Sequence, residues 1–144
     1  MNDQYRMLTK IVRNMNLKKN SLGRELNYNE EEALRFISKH DGCIANEVAD
    51  YLNVDKALVT RIIKKLEEKN YIVCLVLEDK RKKHLKITEK GLNYKWNNQT
   101  FERDYYKSLF ETIDPKEQEV FFMTLEKLYL VSKQKRKQEN EKIR

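Results

Sequence analysis

Between residues 56 and 64 the chain sets Lys56, Ala57, Thr60, Arg61 and Lys64 at one-, three- and four-residue steps. If the segment is helical, 100° per residue gathers these five on one arc of about 140°. Long cations there alternate with small or hydroxyl side chains. That mixture suits a polyanion with edges to be read: cations neutralise phosphates, while arginine and threonine reach base edges. Leu58, Val59, Ile62, Ile63 and Leu66 fall on the opposite arc and make it continuous hydrocarbon. A second concentration of charge follows at Asp79-Lys80-Arg81-Lys82-Lys83. At the tip of a hairpin four successive cations project together, and such side chains suit the narrow, electronegative minor groove of DNA. Each feature taken alone also has a plainer reading, since every surface helix has a polar face and an exposed turn is commonly charged.

Other chemistry finds little support. His40 and His84 are far apart in sequence and no HExxH motif occurs. Gly23, Gly42 and Gly91 cannot form a phosphate-cradling loop. Cys43 and Cys74 lack neighbours at zinc-ligand spacing. Glu67 and Glu68 sit among lysines, as on a solvated helix surface. The expectation is a protein that is not an enzyme and needs no cofactor or metal.

The elements that must position the two basic features follow from composition and periodicity. In 144 residues there are three glycines and one proline, too few for the tight turns of a sandwich or barrel. Charged residues make up 37%, against about 25% in ordinary domains, which implies much helical surface relative to core. Thirty basic against 23 acidic residues leave a net charge of +7, which favours encounter with polyanions. No apolar run approaches the roughly 18 residues of a membrane span, and the N-terminal residues lack a signal-peptide core. A cytoplasmic location without a membrane partner is expected.

Along the chain, Tyr5, Leu8, Ile11, Val12 and Met15 mark a first helix that ends before Ser21-Leu22-Gly23. Asn27 and Glu30 form a candidate capping box for a second helix, which breaks at Asp41-Gly42. A short third helix turns Val48, Ala49 and Leu52 inward. Asn53-Val54-Asp55 is a turn of helix-turn-helix length, and Asp55 can cap a fourth helix over about 56–70. The β-branched run 71–77 and the alternation at 84–87 predict a hairpin, a wing over about 71–87. Thr88 can cap a helix carrying Leu92, Trp96, Phe101, Tyr105, Leu109 and Ile113. Asp114, Pro115 and Glu117 announce a final helix whose apolar residues exceed a narrow stripe and call for partners. Beyond Val131 the tail reads as a solvated, fraying helix end. The fold class is mainly α with a small antiparallel β-wing. Helix, short turn, helix and basic hairpin in this order favour nucleic acid over a merely solvated surface.

These residues resemble the MarR family of winged helix-turn-helix regulators. The likeness runs through LNVDKALVTR at 52–61, LEEKNYI at 66–72, Asp79-x-Arg81 and LKITEKG at 85–91. It covers roughly residues 26–92. The resemblance implies a homodimer on double-stranded DNA at an inverted repeat, acting as a transcriptional repressor, with a possible small-molecule effector. It implies a division into an N-terminal helix over 1–25, a DNA-binding winged helix over 26–88 and C-terminal dimerisation helices over 89–144. Thr60 and Arg61 correspond to the reading face of the recognition helix, and Lys56, Ala57 and Lys64 share that face. Arg81 matches the arginine that enters the minor groove, and Asp79 the acid that pairs with it and orients it. Lys80, Lys82 and Lys83 would add phosphate contacts, which give affinity without sequence reading. An alternative of another class is a winged-helix module whose basic face binds an acidic protein or structured RNA.

Three positions depart from the family pattern. Ile44 stands where a hydroxyl cap is common, Cys43 where an apolar residue is usual, and Glu31 where many members carry an aromatic or aliphatic side chain. Glu31 is expected on the solvent side, because unpaired carboxylates are rarely buried. Cys43 and Cys74 are expected to be inert thiols on the small sheet, and His84 a partly exposed strand residue.

Overall fold

The computed structural model describes residues 3–78 and 82–143. Six helices and one hairpin follow in the order α1 (Gln4–Ser21), α2 (Tyr28–Lys39), α3 (Ala45–Leu52), α4 (Lys56–Glu68), β1 (Ile72–Val76), β2 (Lys83–Ile87), α5 (Glu89–Phe110) and α6 (Pro115–Ile143). The chain divides into two compact units, one through Arg103 and one from Asp104.

The local chemistry that starts each helix is visible at its cap. Asn27 Oδ1 accepts from the Glu30 amide at 2.9 Å, and Glu30 Oε1 accepts from the Asn27 amide at 2.8 Å, so the capping box is closed in both directions. Asp55 Oδ1 accepts from the Leu58 amide at 2.8 Å. Thr88 Oγ1 accepts from the Gly91 amide at 3.0 Å, and Asp114 Oδ1 from the Lys116 amide at 2.8 Å. Ile44 has no acceptor to offer α3; there Glu47 Oε1 takes the Ile44 amide at 3.1 Å and supplies one half of the cap.

Turn geometry trims the expected boundaries. Helix α1 continues through Ser21, with Gly23 at φ 83° just beyond it. Helix α4 ends at Glu68, two residues before the expected Asn70, because Asn70 adopts a left-handed φ of 63° that reverses the chain into β1. Asn53, at φ 54°, makes the corresponding reversal between α3 and α4. Helix α6 runs to Ile143, exposed beyond Val131 as expected of a solvated helix end, with the strong helix formers Lys, Gln, Arg and Glu in its last turns.

The first unit holds the core. Leu26, Leu34, Ile37, Val48, Val59, Leu66, Ile72 and Leu85 are almost wholly buried and join α2, α3, α4 and the hairpin in one cluster. Strands β1 and β2 pair antiparallel, with Ile72 opposite Ile87, Cys74 opposite Leu85 and Val76 opposite Lys83. Cys43 adds a single bridge to Leu85, in which the Leu85 amide donates to Cys43 O at 2.7 Å and the Gly42 amide to Leu85 O at 2.9 Å. The hairpin is thereby anchored to the end of α2. Helix α5 begins against it: a Cβ on Gly91 would lie 2.2 Å from Tyr71 O and 2.7 Å from Ile87 Cγ1, so this crossing requires glycine.

The expected stripe on α1 exists, but only Met15 is buried; Tyr5, Leu8, Ile11 and Val12 are exposed. In the second unit Phe110 packs on Phe121 and Phe122, with ring centroids 5.3 and 4.7 Å apart. Gln118 Nε2 donates to Phe110 O and Ile113 O, closing the turn between α5 and α6. Val120, Leu125, Leu128, Tyr129, Leu130 and Val131 of α6 remain exposed.

Candidate nucleic-acid interface

Helix α4 has the two faces its periodicity requires. Val59, Ile62, Ile63 and Leu66 are buried and Leu58 is half-buried in the core. Lys56, Ala57, Thr60, Arg61 and Lys64 are all exposed. Burying the apolar arc dictates where the cationic arc points, so the direction of these five side chains is set by the core beneath them.

Among the described residues, ion pairs on α4 involve Lys65, whose Nζ is 3.0 Å from Glu30 Oε1, whereas Lys56, Arg61 and Lys64 have none. Lys69, just past the helix, lies 3.8 Å from Glu25. A cation with a protein partner anchors the helix, while one without keeps its charge for an external anion. Thr60 Oγ1 donates to Lys56 O at 2.8 Å and retains lone pairs to accept from a ligand.

Between α4 and the hairpin lies a groove of about 340 Å³, lined by Thr60, Ile63, Lys64, Glu67, Cys74 and Lys83 among others. The helix face and the hairpin therefore border one concave surface. Lys82 and Lys83 are exposed, and Lys83 lines the groove. Lys80, Arg81 and the expected Asp79–Arg81 pair lie outside the described residues. His84, half-buried on β2, places Nδ1 2.7 Å from Gly42 O; a carbonyl only accepts, so Nδ1 carries the proton in this bond.

The thiols fit an inert role. Burial, with a further contribution from Glu47, raises the Cys43 thiol to about 11. Burial and then the hydrogen bond and charge of Glu67 raise Cys74 to about 11. A thiol needs a lowered value and an electropositive setting to become a nucleophile near neutral pH.

Glu31 is the clear correction. It is not on the solvent side but 5% exposed, held from three directions. Arg24 forms an ion pair with it through Nη2 and donates from Nε at 3.3 Å; Lys19 Nζ stands at 3.4 Å, and Tyr94 Oη donates at 3.0 Å. Burial raises the Tyr94 hydroxyl well above its ordinary value, and the Glu31 charge and hydrogen bond raise it further, so it stays a donor. The rule that buried carboxylates are paired is respected; the partners lie 12 and 63 residues away in the case of Lys19 and Tyr94, beyond the reach of local pattern. The anchoring of α4 by Glu30 is missed for the same reason, although the capping box singles out that glutamate.

Residues 26–82 match a family model described as MarR family. Among curated proteins no sequence match is found. Solved structures resemble the chain over most of its length. One is MepR, a transcription regulator of the Staphylococcus aureus multidrug efflux pump MepA, at 20% identity and a TM-score of 0.76, covering 90% of this chain and 98% of that one. Another is Streptococcus pneumoniae FabT in complex with DNA, at 24% identity and a TM-score of 0.71, covering 92% and 99%. A MepR mutant of S. aureus bound to an oligodeoxyribonucleotide matches at 20% identity and a TM-score of 0.68, covering 88% and 94%. With its helix-turn-helix, two-stranded wing and flanking helices, the chain has a winged-helix fold: residues 26–82 match the MarR family model, and the whole resembles in fold solved regulators such as MepR.

Proposed function

We propose that this protein is a homodimeric repressor of transcription that reads an inverted repeat in double-stranded DNA. One observation carries the proposal: the exposed arc of Lys56, Ala57, Thr60, Arg61 and Lys64, free of internal ion pairs among the described residues, on a helix whose other face is locked in the core. In this reading α4 enters the major groove. Arg61 and Thr60 contact base edges, Lys56 and Lys64 contact phosphates, and Ala57 allows close approach. The hairpin lies over the adjacent minor groove, with Arg81 inserted, Asp79 orienting it, and Lys80, Lys82 and Lys83 on the backbone. The DNA complexes of FabT and of the MepR mutant support DNA as the partner.

A second copy covers the apolar side chains left exposed on α1 and α6, such as Leu8, Ile11, Val120 and Leu128. Residues 1–25 and 89–144 then supply the dimer contacts and residues 26–88 the reading head. Two reading heads bind half-sites whose centres are one helical turn, about 34–36 Å, apart. A small-molecule effector that altered this spacing would release DNA, because a two-fold dimer docks only when both helices meet successive grooves. No helix among the described residues is long and apolar enough to cross a membrane. In this reading the protein acts on DNA in the cytoplasm.

The test is a titration of purified protein into a duplex from its own upstream region and a shuffled control, at several salt concentrations. Preference for the native duplex by ~10³ or more, with two chains per site, is the expected result. Absence of binding at low salt would refute the DNA reading and favour an acidic protein or structured RNA as partner.

A further inference from the structure

Two adjacent carboxylates open α2, and both are buried: Glu30 and Glu31 are each 5% exposed. They face different neighbours. Glu30 closes the α2 capping box and binds Lys65 of α4 at 3.0 Å. Glu31 gathers Arg24 from the loop, Lys19 from α1 and Tyr94 from α5. The second cluster extends further. Lys19 Nζ donates to Glu102 Oε1 of α5 at 2.7 Å, Arg24 Nη1 donates to Asn16 Oδ1 of α1 at 3.0 Å, and Arg35 of α2 reaches Glu102 at 4.0 Å. One turn of α2 thus joins the DNA-facing helix on one side to α1 and α5 on the other.

Net stability is a weak reason for this arrangement. Buried ion pairs contribute little beyond a well-packed apolar contact, because desolvation offsets most of their attraction. What they add is direction. An apolar interface can slide by a fraction of an ångström at small cost, whereas several hydrogen bonds converging on two carboxylate oxygens are satisfied in one geometry. Removing the charge of Glu31 would leave Arg24 without its carboxylate partner and the buried Lys19 with Glu102 alone.

We propose that Glu31 is a positioning residue: through Lys19, Arg24 and Tyr94 it fixes the seat of the winged helix on α1 and α5, and so sets the half-site spacing that the protein accepts. It touches no DNA. This inference rests on the proposed dimer, since spacing has meaning only with two reading heads. Glu30 and Lys65 carry the same constraint onward to α4, so that a tilt at the α1 and α5 side moves the DNA-facing helix as a rigid body.

The test begins with the wild-type chain, which selects its preferred duplex from a randomised pool. Affinity is then measured on that duplex, on versions with one base pair inserted or removed between the halves, and on a single half-site. Wild type is expected to lose ~10-fold or more for either change, because one base pair moves a half-site by ~3.4 Å and turns it around the axis. For Glu31→Gln, with near-identical shape and no charge, half-site affinity is expected within about twofold of wild type, while the spacing penalty falls to about two- to threefold. Tyr94→Phe, which removes one hydrogen bond, should fall between. Unchanged spacing penalties in Glu31→Gln would overturn the proposal, as would an equal loss on half-site and full site, the signature of general damage. Should circular dichroism show Glu31→Gln unfolded, Glu102→Gln takes its place with the same readout, its side chain being 29% exposed. A wild-type chain indifferent to spacing would overturn the dimeric reading and this inference with it, and that outcome is seen before any variant is made.

Discussion

Gly91→Ala opposes two effects of different sign and unequal size. By helix propensity alone the substitution stabilises α5 by about 1 kcal/mol. The structure predicts the reverse. The new Cβ would sit 2.2 Å from Tyr71 O and 2.7 Å from Ile87 Cγ1, where ordinary contact begins at 3.4 Å. Neither neighbour yields easily. Tyr71 O accepts the Thr88 amide at 3.0 Å, Tyr71 is 3% exposed, and Ile87 closes the hairpin opposite Ile72. Overpacking costs ~1–3 kcal/mol, and weakening a buried backbone hydrogen bond ~1–3 kcal/mol more. After the propensity gain the net loss is about 3 kcal/mol, or roughly 6–12 °C in melting temperature for a chain of this size. Urea unfolding at one fixed protein concentration measures it, with the slope unchanged if the denatured state is unaffected. Because the contact lies at the foot of the hairpin, DNA affinity should fall as well. A Gly91→Ala chain as stable as wild type, or more so, would show that α5 does not cross the hairpin as closely as described.

Three further outcomes are expected. Arg61→Ala should relax base preference at its contacted position by ~1–3 kcal/mol, whereas Lys82→Ala should weaken binding to all duplexes and lower the salt slope by about 1; equal losses on every sequence for both would contradict their assigned roles. Both thiols, raised to about 11, should react slowly with a disulfide reagent at neutral pH, and the Cys43→Ser, Cys74→Ser chain should respond to peroxide as wild type does; rapid labelling of the native protein would reverse that view. Tyr71, raised to about 12 by burial and by its hydrogen bond and charge contact with Glu25, contributes stability that is complete below pH ~10 and lost as pH rises through about 12. Glu25, lowered mainly by that same hydrogen bond, contributes stability present above its ordinary value and lost as pH falls through its depressed one. Ultraviolet absorbance during alkaline titration should show a late tyrosine component near 12 that Tyr71→Phe removes, and its persistence in that variant would refute the assignment.

Much of the winged helix was legible from neighbouring residues because its causes are local. The Asn27–Glu30 capping box, the Asp55, Thr88 and Asp114 caps and the two arcs of α4 depend on residues within four positions of one another, and each is found where the sequence places it. Backbone reversals at Asn53 and Asn70 are less legible, since asparagine visits the left-handed region without being obliged to. The end of α4 moved by two residues for that reason.

What the sequence by itself determined is the set of helices, the hairpin and the side of α4 that carries charge, because periodicity and capping act over a single turn. What only the tertiary structure decided is who meets whom. Glu31 looks like a surface carboxylate until Lys19, Arg24 and Tyr94 arrive from three other segments and make its burial affordable. Gly91 looks like a weak point in a helix until Tyr71 and Ile87 occupy the space its side chain would need. The physical reason is common to both: burial, unlike periodicity, is a property of the surroundings, and these are assembled from residues distant along the chain.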